Sequence, residues 1–392
     1  MSWWISIFVA LALVPVTLAQ SRPSEVAGKP NIERLAALEF PWGMAYLPDG
    51  RLLITEKPGR LRIYSAGQLS APVGNLPTVS YRESPSEQGG LLDVAVDAEF
   101  AQNRFIYLSY VEDVPPSDQP PVETGDPRFA TYLDLKDNRL RRGVVARATL
   151  DANQLSGLQV LWRQEPTTVG RGHFGHRLVF GHDNTLFITS GDRMRFDPAG
   201  DLSSNLGKVI RINRDGSIPK DNPFVGKSGA RPEIWTLGHR NMLAAAVDPA
   251  SGQLWVVEMG PLGGDELNLI ERGADYGWPA VSNGDNYDKS PIPDHLTKPE
   301  FKAPVKSWTP VISPSGALFY DGSLFPWRGK LVVGGLSSKA VIRLTLDGAR
   351  VTAEDRIDMQ RRIRDVIQAP DGALLAITDD KNGELLKITP GR

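Results

Sequence analysis

A strand–turn–strand pattern recurs along this chain and constrains its fold more than any other feature. Each copy joins two apolar runs, often β-branched or aromatic, through a turn rich in Asp, Pro or Gly. Several copies are followed by a further short apolar run, as at 61–64 and 208–212. Six units of about four strands predict an all-β, six-bladed β-propeller with four-stranded antiparallel blades. The six copies occupy residues 42–55, 91–110, 172–190, 244–258, 316–334 and 366–378.

The propeller pattern also decides the number of domains. A length of 392 residues is compatible with two domains, but an irregular propeller is one. We therefore assign residues 35–390 to one propeller domain, preceded by a polar linker over residues 20–34. Two polar stretches, 115–137 and 282–305, interrupt the pattern and are predicted to be long loops.

The first residues are typical of an export signal. Residues 2–18 are uncharged and mostly apolar, and small residues stand at Thr17 and Ala19. This pattern predicts a signal peptide over 1–19, cut after Ala19, and a periplasmic or secreted protein. The alternative is an uncleaved anchor, although the apolar run is short for a membrane span, and we expect no stable membrane insertion. The chain has no cysteine, so an exported form must be held by its core and by any bound metal.

The charge distribution argues against a nucleic-acid partner. The formal net charge is −2 and no basic stripe is present. A small anionic ligand is compatible with this composition, because it needs only a local cluster of arginines.

Three of the five histidines fall in the third copy, at His173, His176 and His182. His173 directly precedes a predicted hairpin, on a loop at a strand end where chemistry is often presented. Imidazole titrates near neutral pH and suits a general base, although a turn histidine with one backbone hydrogen bond is the commoner situation. His176 and His182 lack the further ligands of a tetrahedral metal site, and we interpret His239 as structural.

Two arginines near the end of the chain point to an anion. On a strand, Arg362 and Arg364 share one face, with Ile363 opposite. Two like charges side by side are unfavourable unless an anion lies between them. The alternative is a solvated edge beside Asp365.

Several segments together resemble a known family. The chain is similar to the soluble quinoprotein sugar dehydrogenases, that is, the pyrroloquinoline quinone (PQQ) dependent glucose/sorbosone or aldose sugar dehydrogenases. The resemblance covers roughly residues 35–388 and implies a six-bladed propeller that oxidises the anomeric carbon of aldoses to lactones, with calcium holding the cofactor. The segments that carry it are 88–95, 172–178, 238–241, 260–268, 275–279 and 362–365.

The resemblance also implies roles for particular residues. His173 is the catalytic base, and the carbonyls of Gly260 and Pro261 hold calcium, which prefers hard oxygen ligands. PQQ carries three carboxylates, which arginine's planar fork suits. Glu266 and the carbonyl of Tyr276 match a second calcium site in some members. The residues expected to bind the cofactor are Gln88, Arg240, Asn241, Arg362, Arg364 and, in an offset position, Lys339.

The sequence departs from the family pattern in places and leaves alternatives open. Met259 stands where members usually have Gln or His, and Gly172 replaces an acid of the glucose-oxidising branch, which favours a broad aldose specificity. We expect an aldose substrate, an external electron acceptor (a quinone or a small redox protein) and a monomer or homodimer. No nicotinamide fingerprint competes. The alternatives are a calcium-dependent propeller lactonase or other hydrolase, and a non-catalytic binding propeller.

Overall fold

The structure is a computed structural model that describes residues 29–84, 86–115 and 139–391. The predicted signal peptide (1–19), most of the predicted linker and nearly all of the predicted 115–137 loop lie outside these residues. Among the described residues, no helix has the length and hydropathy needed to cross a bilayer.

Strands make up nearly all of the regular structure in the described residues. The only α-helix there is the four-residue α1 (Phe100–Asn103), and short 3-10 segments cover Asp197–Gly200 and His295–Thr297. The strands, in chain order, are β1 (Asn31–Leu38), β2 (Pro41–Tyr46), β3 (Leu52–Glu56), β4 (Arg60–Ser65), β5 (Gln68–Leu69), β6 (Leu91–Val96), β7 (Phe105–Asp113), β8 (Leu140–Asp151), β9 (Gln154–Arg163), β10 (Thr168–Val169), β11 (Gly175–Phe180), β12 (Leu186–Ser190), β13 (Lys208–Ile212), β14 (Ile234–Thr236), β15 (Met242–Val247), β16 (Leu254–Glu258), β17 (Asp265–Leu269), β18 (Lys306–Trp308), β19 (Pro314–Tyr320), β20 (Lys330–Gly335), β21 (Ala340–Asp347), β22 (Arg350–Asp358), β23 (Ile363–Gln368), β24 (Leu374–Thr378) and β25 (Gly383–Thr389).

These strands form six antiparallel sheets, which confirms the predicted six-bladed propeller. Blade 1 contains β2–β5, blade 2 β6–β10, blade 3 β11–β14, blade 4 β15–β18, blade 5 β19–β22, and blade 6 β23–β25 with β1. Five blades have the predicted four strands. Blade 2 has five, because both β9 and the two-residue β10 pair with β8.

The first strands of the blades surround the axis, and the N-terminal strand closes the ring. Strands β2, β6, β11, β15, β19 and β23 contact one another in sequence, and β23 contacts β2. Strand β1 pairs with β25 from Asn31↔Thr389 to Leu38↔Gly383. Residues 31–34, predicted as linker, therefore belong to the propeller. Half of the residues of this outermost strand are exposed, and its apolar run begins only at Leu35, after the mostly polar residues 31–34.

Aspartates recur in the turns between first and second strands for a local reason. In five of the six blades, an Asp carboxylate accepts a hydrogen bond from the backbone N–H two residues later, at 2.9–3.1 Å. This Asx turn fixes the reversal of the chain without help from other parts of the fold. The aspartates are Asp49, Asp97, Asp183, Asp248 and Asp371.

The hydrophobic core lies between blades. Each of six clusters draws its buried side chains from two neighbouring blades, and the last cluster joins blade 6 to blade 1. Alternate side chains of a strand point to opposite faces. In β3, Leu53 packs toward blade 2, whereas Leu52 and Ile54 pack toward blade 6. Because apolar side chains on both faces of a blade are buried, each blade packs against both neighbours.

A buried ion cluster crosses the axis. The Arg177 guanidinium lies 3.3 Å from Asp93 Oδ1 and 3.2 Å from Asp365 Oδ1, and it stacks 4.2 Å from the ring of Trp42. One cation thus faces two buried carboxylates. Burial and the neighbouring Asp93 charge raise the pKa of Asp365 to about 7, although Arg177 opposes the shift. Burial raises the pKa of Asp93 as well.

This cluster predicts a pH-dependent stability. The folded chain keeps a proton on Asp365 that the unfolded chain releases, so the contribution of this group to stability is fully present at acidic pH and is lost as pH rises toward about 7. The contribution is on the order of a few kcal/mol. Asp365→Asn leaves Arg177 paired with Asp93 alone and should flatten the curve of unfolding free energy against pH. Urea titrations of both proteins from pH 4.5 to 8 measure this, and parallel curves would contradict the assignment.

Candidate active site

A cleft of about 420 Å³ opens at the end of the axis where the first strands begin. Its walls come from two kinds of position: residues just before a first strand, and residues just after a second strand. Because these positions surround the axis, residues distant in sequence meet there. Seven of the predicted site residues line this cleft: Gln88, His173, Arg240, Gly260, Pro261, Arg362 and Arg364.

His173 is oriented by a carboxylate that the sequence analysis did not assign. Its Nδ1 lies 2.7 Å from Asp192 Oδ1, and Trp278 Nε1 donates to Asp192 Oδ2 at 2.8 Å. Burial opposes ionisation of Asp192, but the His173 imidazole and Arg240 hold its pKa below the ordinary value. An ionised Asp192 accepts a hydrogen bond from Nδ1–H, so Nε2 carries the lone pair in the neutral imidazole. This arrangement suits a general base.

The loop that carries His173 is strained and held in place. The backbone of His173 has φ 53°, a left-handed conformation that is costly for a side chain with Cβ. Gln88 Oε1 accepts the His173 N–H at 2.9 Å. Arg193 donates to the carbonyls of Gly172 and Gly170 at 2.9 and 2.8 Å and stacks 3.7 Å from the Phe174 ring. These contacts keep the imidazole at the cleft wall.

Arg240 is buried and enters the cleft from blade 4, next to the blade that carries His173. Its guanidinium donates to the carbonyls of Gly260 at 2.7 Å and Met259 at 3.0 Å, and to Tyr287 Oη at 3.1 Å. Its backbone N–H donates to Glu258 at 2.6 Å. The cation is therefore fixed at the cleft surface rather than left to reach into water.

Arg362 and Arg364 share one face, as predicted, and a protein carboxylate lies between them. Asp379 Oδ2 accepts from Arg362 and Asp379 Oδ1 accepts from Arg364, at 2.7–3.0 Å. Burial opposes ionisation of Asp379, but Arg364, Arg362 and Lys57 lower its pKa strongly. Arg364 is nearly buried, whereas the side chain of Arg362 is 46% exposed at the rim.

The Gly260 loop is shaped by close packing and one buried carboxylate. A Cβ at Gly260 would collide with the carbonyls of Gly263 and Gly264, so only glycine fits. Asp265 accepts from the N–H groups of Gly260, Ile312 and Ser313 at 2.6–2.9 Å. Burial raises the pKa of Asp265 to about 6. The loop presents carbonyl oxygens to the cleft beside Arg240.

Two predicted cofactor residues do not line the cleft. Asn241 is fully buried behind Met259, and its amide donates to Met259 Sδ at 3.7 Å. Lys339 lines an adjoining groove of about 310 Å³, which shares Arg362 and Asp379 with the cleft. The reason is its position in the blade: Lys339 precedes a third strand, which lies farther from the axis than a first strand.

Glu266 and Tyr276, predicted to hold a second calcium ion, also lie behind the cleft wall. Glu266 Oε1 is 3.1 Å from His295 Nε2, and Asn268 donates to Oε2 at 3.4 Å. The cavity that Glu266 and Tyr276 share holds about 10 Å³, no more than the minimum that one water needs. Among the described residues, no group of three or more His, Cys, Asp or Glu side chains could hold a metal ion. The pair as arranged does not fit the open oxygen shell that calcium takes.

Three functional residues were given no role in the sequence analysis: Lys57 and Asp379, which line the cleft, and Asp192, which contacts His173 from outside the cleft lining. All three follow a second strand, as Lys57 follows β3 and Asp379 follows β24. A polar residue just after a second strand could therefore have been predicted to lie at the cleft, since this position faces the axis. For Asp192, the pairing of Gly175 with Ser190 was a further signal, because it brings the residues flanking that pair together.

The comparisons with known proteins agree with this geometry. The model of the Glucose / Sorbosone dehydrogenase family matches residues 38–387. Aldose sugar dehydrogenase YliI from Escherichia coli is 39% identical, with 96% of this chain and 98% of that protein covered. Quinoprotein glucose dehydrogenase B from Acinetobacter calcoaceticus is 29% identical, with 98% and 91% covered.

A solved structure gives the same result. The soluble aldose sugar dehydrogenase from Escherichia coli, in its apo form, superposes with a TM-score of 0.81 at 38% identity, over 92% of this chain and all of that one. The propeller and its axial cleft define the class of protein. The chain belongs to the glucose/sorbosone dehydrogenase family, which confirms the resemblance.

The Asp379 bridge yields a stability prediction. Asp379→Asn leaves two guanidinium groups facing each other and should cost about 2 kcal/mol of unfolding free energy. Because the missing element is an anion, sulfate should restore more stability to this variant than to the wild type. Thermal unfolding with and without sulfate measures both effects. Asp380→Asn removes the neighbouring exposed carboxylate as a control, and equal losses in the two variants would contradict the bridge.

Proposed function

We propose that this chain is a PQQ- and calcium-dependent aldose sugar dehydrogenase that oxidises the anomeric carbon of aldoses to lactones. One observation carries the proposal: an imidazole oriented by a carboxylate shares one cleft with Arg240, Arg362 and Arg364. The first element can take a proton from a sugar hydroxyl, and the second can bind a polyanionic cofactor. The name of the Acinetobacter relative, a quinoprotein, supports a quinone in this position.

The residues present fit such a cofactor. A cleft of about 420 Å³ is within the usual range for small-molecule sites. Arg240 and Arg364 are buried with their guanidinium groups at its surface, and guanidinium forks bind carboxylates in a fixed geometry. Gln88 Oε1 is engaged by the His173 N–H, so its amide nitrogen is the atom that can donate to a quinone oxygen.

The predicted calcium ligands, the carbonyls of Gly260 and Pro261, belong to the same cleft. The Gly260 carbonyl accepts one hydrogen bond from Arg240 at 2.7 Å, and a carbonyl oxygen has a second lone pair for a further ligand. These are hard oxygen donors of the kind calcium takes. PQQ, bound with calcium at these carbonyls, would supply an electrophilic quinone that accepts a hydride from the sugar.

The chain itself supplies the acid–base chemistry. His173 takes the proton of the anomeric hydroxyl at Nε2 as the hydride leaves the carbon. Asp192, held by Trp278 and by the Met194 N–H, stabilises the imidazolium that forms. Trp42, Phe174 and Leu243 line the floor of the cleft and limit the access of water to the reacting atoms.

The wider setting belongs to the same proposal. The substrate is an aldose, and electrons leave to an external acceptor, either a quinone or a small redox protein. The chain acts in the periplasm or outside the cell after loss of a signal peptide. It works as a monomer or homodimer.

Reconstitution tests the proposal directly. PQQ and calcium chloride are added to the purified chain, and reduction of a redox dye by glucose, other aldoses and disaccharides is followed. We expect sugar-dependent reduction that His173→Ala abolishes, because His173 is the cleft residue that Asp192 orients to take the hydroxyl proton. His182→Ala, which alters an exposed histidine of the same hairpin, should retain activity. Lactone hydrolysis without quinone would favour the hydrolase alternative. The absence of activity in both assays would favour a non-catalytic binding propeller.

The His173–Asp192 contact predicts a separate kinetic effect. Asp192→Asn can donate to Nδ1 and favour the tautomer with the proton on Nε2, which disables the base. We expect kcat to fall roughly 100- to 10,000-fold, while the affinity for PQQ changes little. Stopped-flow reduction and fluorescence titration measure the two quantities. A variant with normal kcat would remove Asp192 from the mechanism.

A further inference from the structure

One buried cation of the cleft has no role in the mechanism above. Lys57 lies in the turn between β3 and β4, and only 7% of its surface is exposed. Its backbone is fixed on both sides, since its N–H donates to the Phe40 carbonyl at 2.9 Å and its carbonyl accepts from Leu91 at 3.0 Å. The side chain therefore lines the cleft from a rigid base and does not reach into bulk water.

The hydrogen bonds of the ammonium leave part of it for a ligand. Nζ donates to the Glu87 carbonyl at 3.0 Å and lies 5.1 Å from the centre of the Phe40 ring. Among the described residues, that carbonyl is the one acceptor that meets the ammonium. An ammonium has three N–H donors, so two can face the cleft.

The nearby carboxylates are already engaged by arginines. Glu87 accepts from Arg141 at 3.1 and 3.2 Å, deep in the fold. Asp379 is shared between Arg362 and Arg364. The Lys57 ammonium is thus a further positive charge beside two carboxylates, Glu87 and Asp379, that arginines already neutralise. A buried cation in such a place is costly unless an anion joins it.

We propose that Lys57 binds a carboxylate of the anionic quinone cofactor, beside Arg364 and opposite Arg240. This inference rests on the proposed function. It adds a ligand from blade 1 to the predicted cofactor residues that line the cleft from blades 2, 4 and 6. Through the Glu87 carbonyl, Lys57 also braces the segment that carries Gln88, whose side chain accepts the His173 N–H. A ligand on Lys57 is therefore linked to the loop of the base.

The charge state of Lys57 supplies an independent signature. Burial, followed by the nearby positive charge of Arg364, lowers the pKa of Lys57 to about 8. The charged groups that face it are Glu87, Arg362, Arg364 and Asp379. An anion bound to the ammonium raises this pKa again, so binding near pH 8 takes up about half a proton. A lysine with a purely structural role would not produce this uptake.

The test is calorimetric binding of PQQ with calcium chloride to the full chain, before any sugar is added. Lys57→Met should weaken binding roughly 10- to 100-fold and remove the proton uptake, which is measured at pH 8 in two buffers of different ionisation enthalpy. Lys57→Arg keeps the charge but cannot titrate, so it should bind within a few fold of wild type without proton uptake. Lys381→Met removes an exposed lysine paired with Glu83 and should behave as wild type.

The outcomes separate the two levels of the proposal. Wild-type binding with proton uptake, lost as described in the two Lys57 variants, supports the assignment. Wild-type binding that Lys57→Met retains with the same uptake overturns the role of Lys57 and leaves the proposed function intact. Absence of PQQ binding to the wild type overturns both. If Lys57→Met does not fold, Lys57→Arg decides, because unchanged proton uptake in that variant excludes Lys57 as its source.

Discussion

The pairing of β1 with β25 is the constraint on which the rest of the structure depends. It joins the start of the chain to the last blade and closes the ring of first strands around one axis. Each blade buries its two faces against its two neighbours. An open ring would therefore expose the apolar faces of blades 6 and 1 that now pack together. Once the ring is closed, the ends of first and second strands from every blade converge, and the site exists because they do.

The cleft then has to hold several cations close together. Three different kinds of partner hold these cations: Asp379 is shared by Arg362 and Arg364, loop carbonyls hold Arg240, and the Glu87 carbonyl holds Lys57. Carbonyl oxygens fix a cation without cancelling its charge. The cleft is therefore rigid and positively charged, which is what binding of a small polyanion requires. Farther along the axis the ratio is reversed, because the single cation of Arg177 faces the carboxylates of Asp93 and Asp365.

Much of this could be predicted from the sequence, because the strongest signals are local. Asp-containing turns between apolar runs predicted the first and second strands of all six blades, and the alternation around Ile363 placed both neighbouring arginines on one face. Residues set by distant contacts were harder. Asp379 was missed as the anion between those arginines, because it lies in another turn of the blade. Lys339 was assigned to the cofactor although it precedes a third strand, away from the axis. The first half of the outermost strand β1, which is mostly polar and exposed, was assigned to a linker.

We propose that His173 takes a proton from the sugar while a quinone bound in the cationic cleft accepts the hydride. The most direct measurement is a single turnover of the PQQ-loaded chain with glucose, without any electron acceptor, followed by the absorbance of the quinone. The account predicts a spectral change that one equivalent of sugar completes, and that slows when the anomeric hydrogen is replaced by deuterium. A loaded protein whose spectrum aldoses leave unchanged would contradict it.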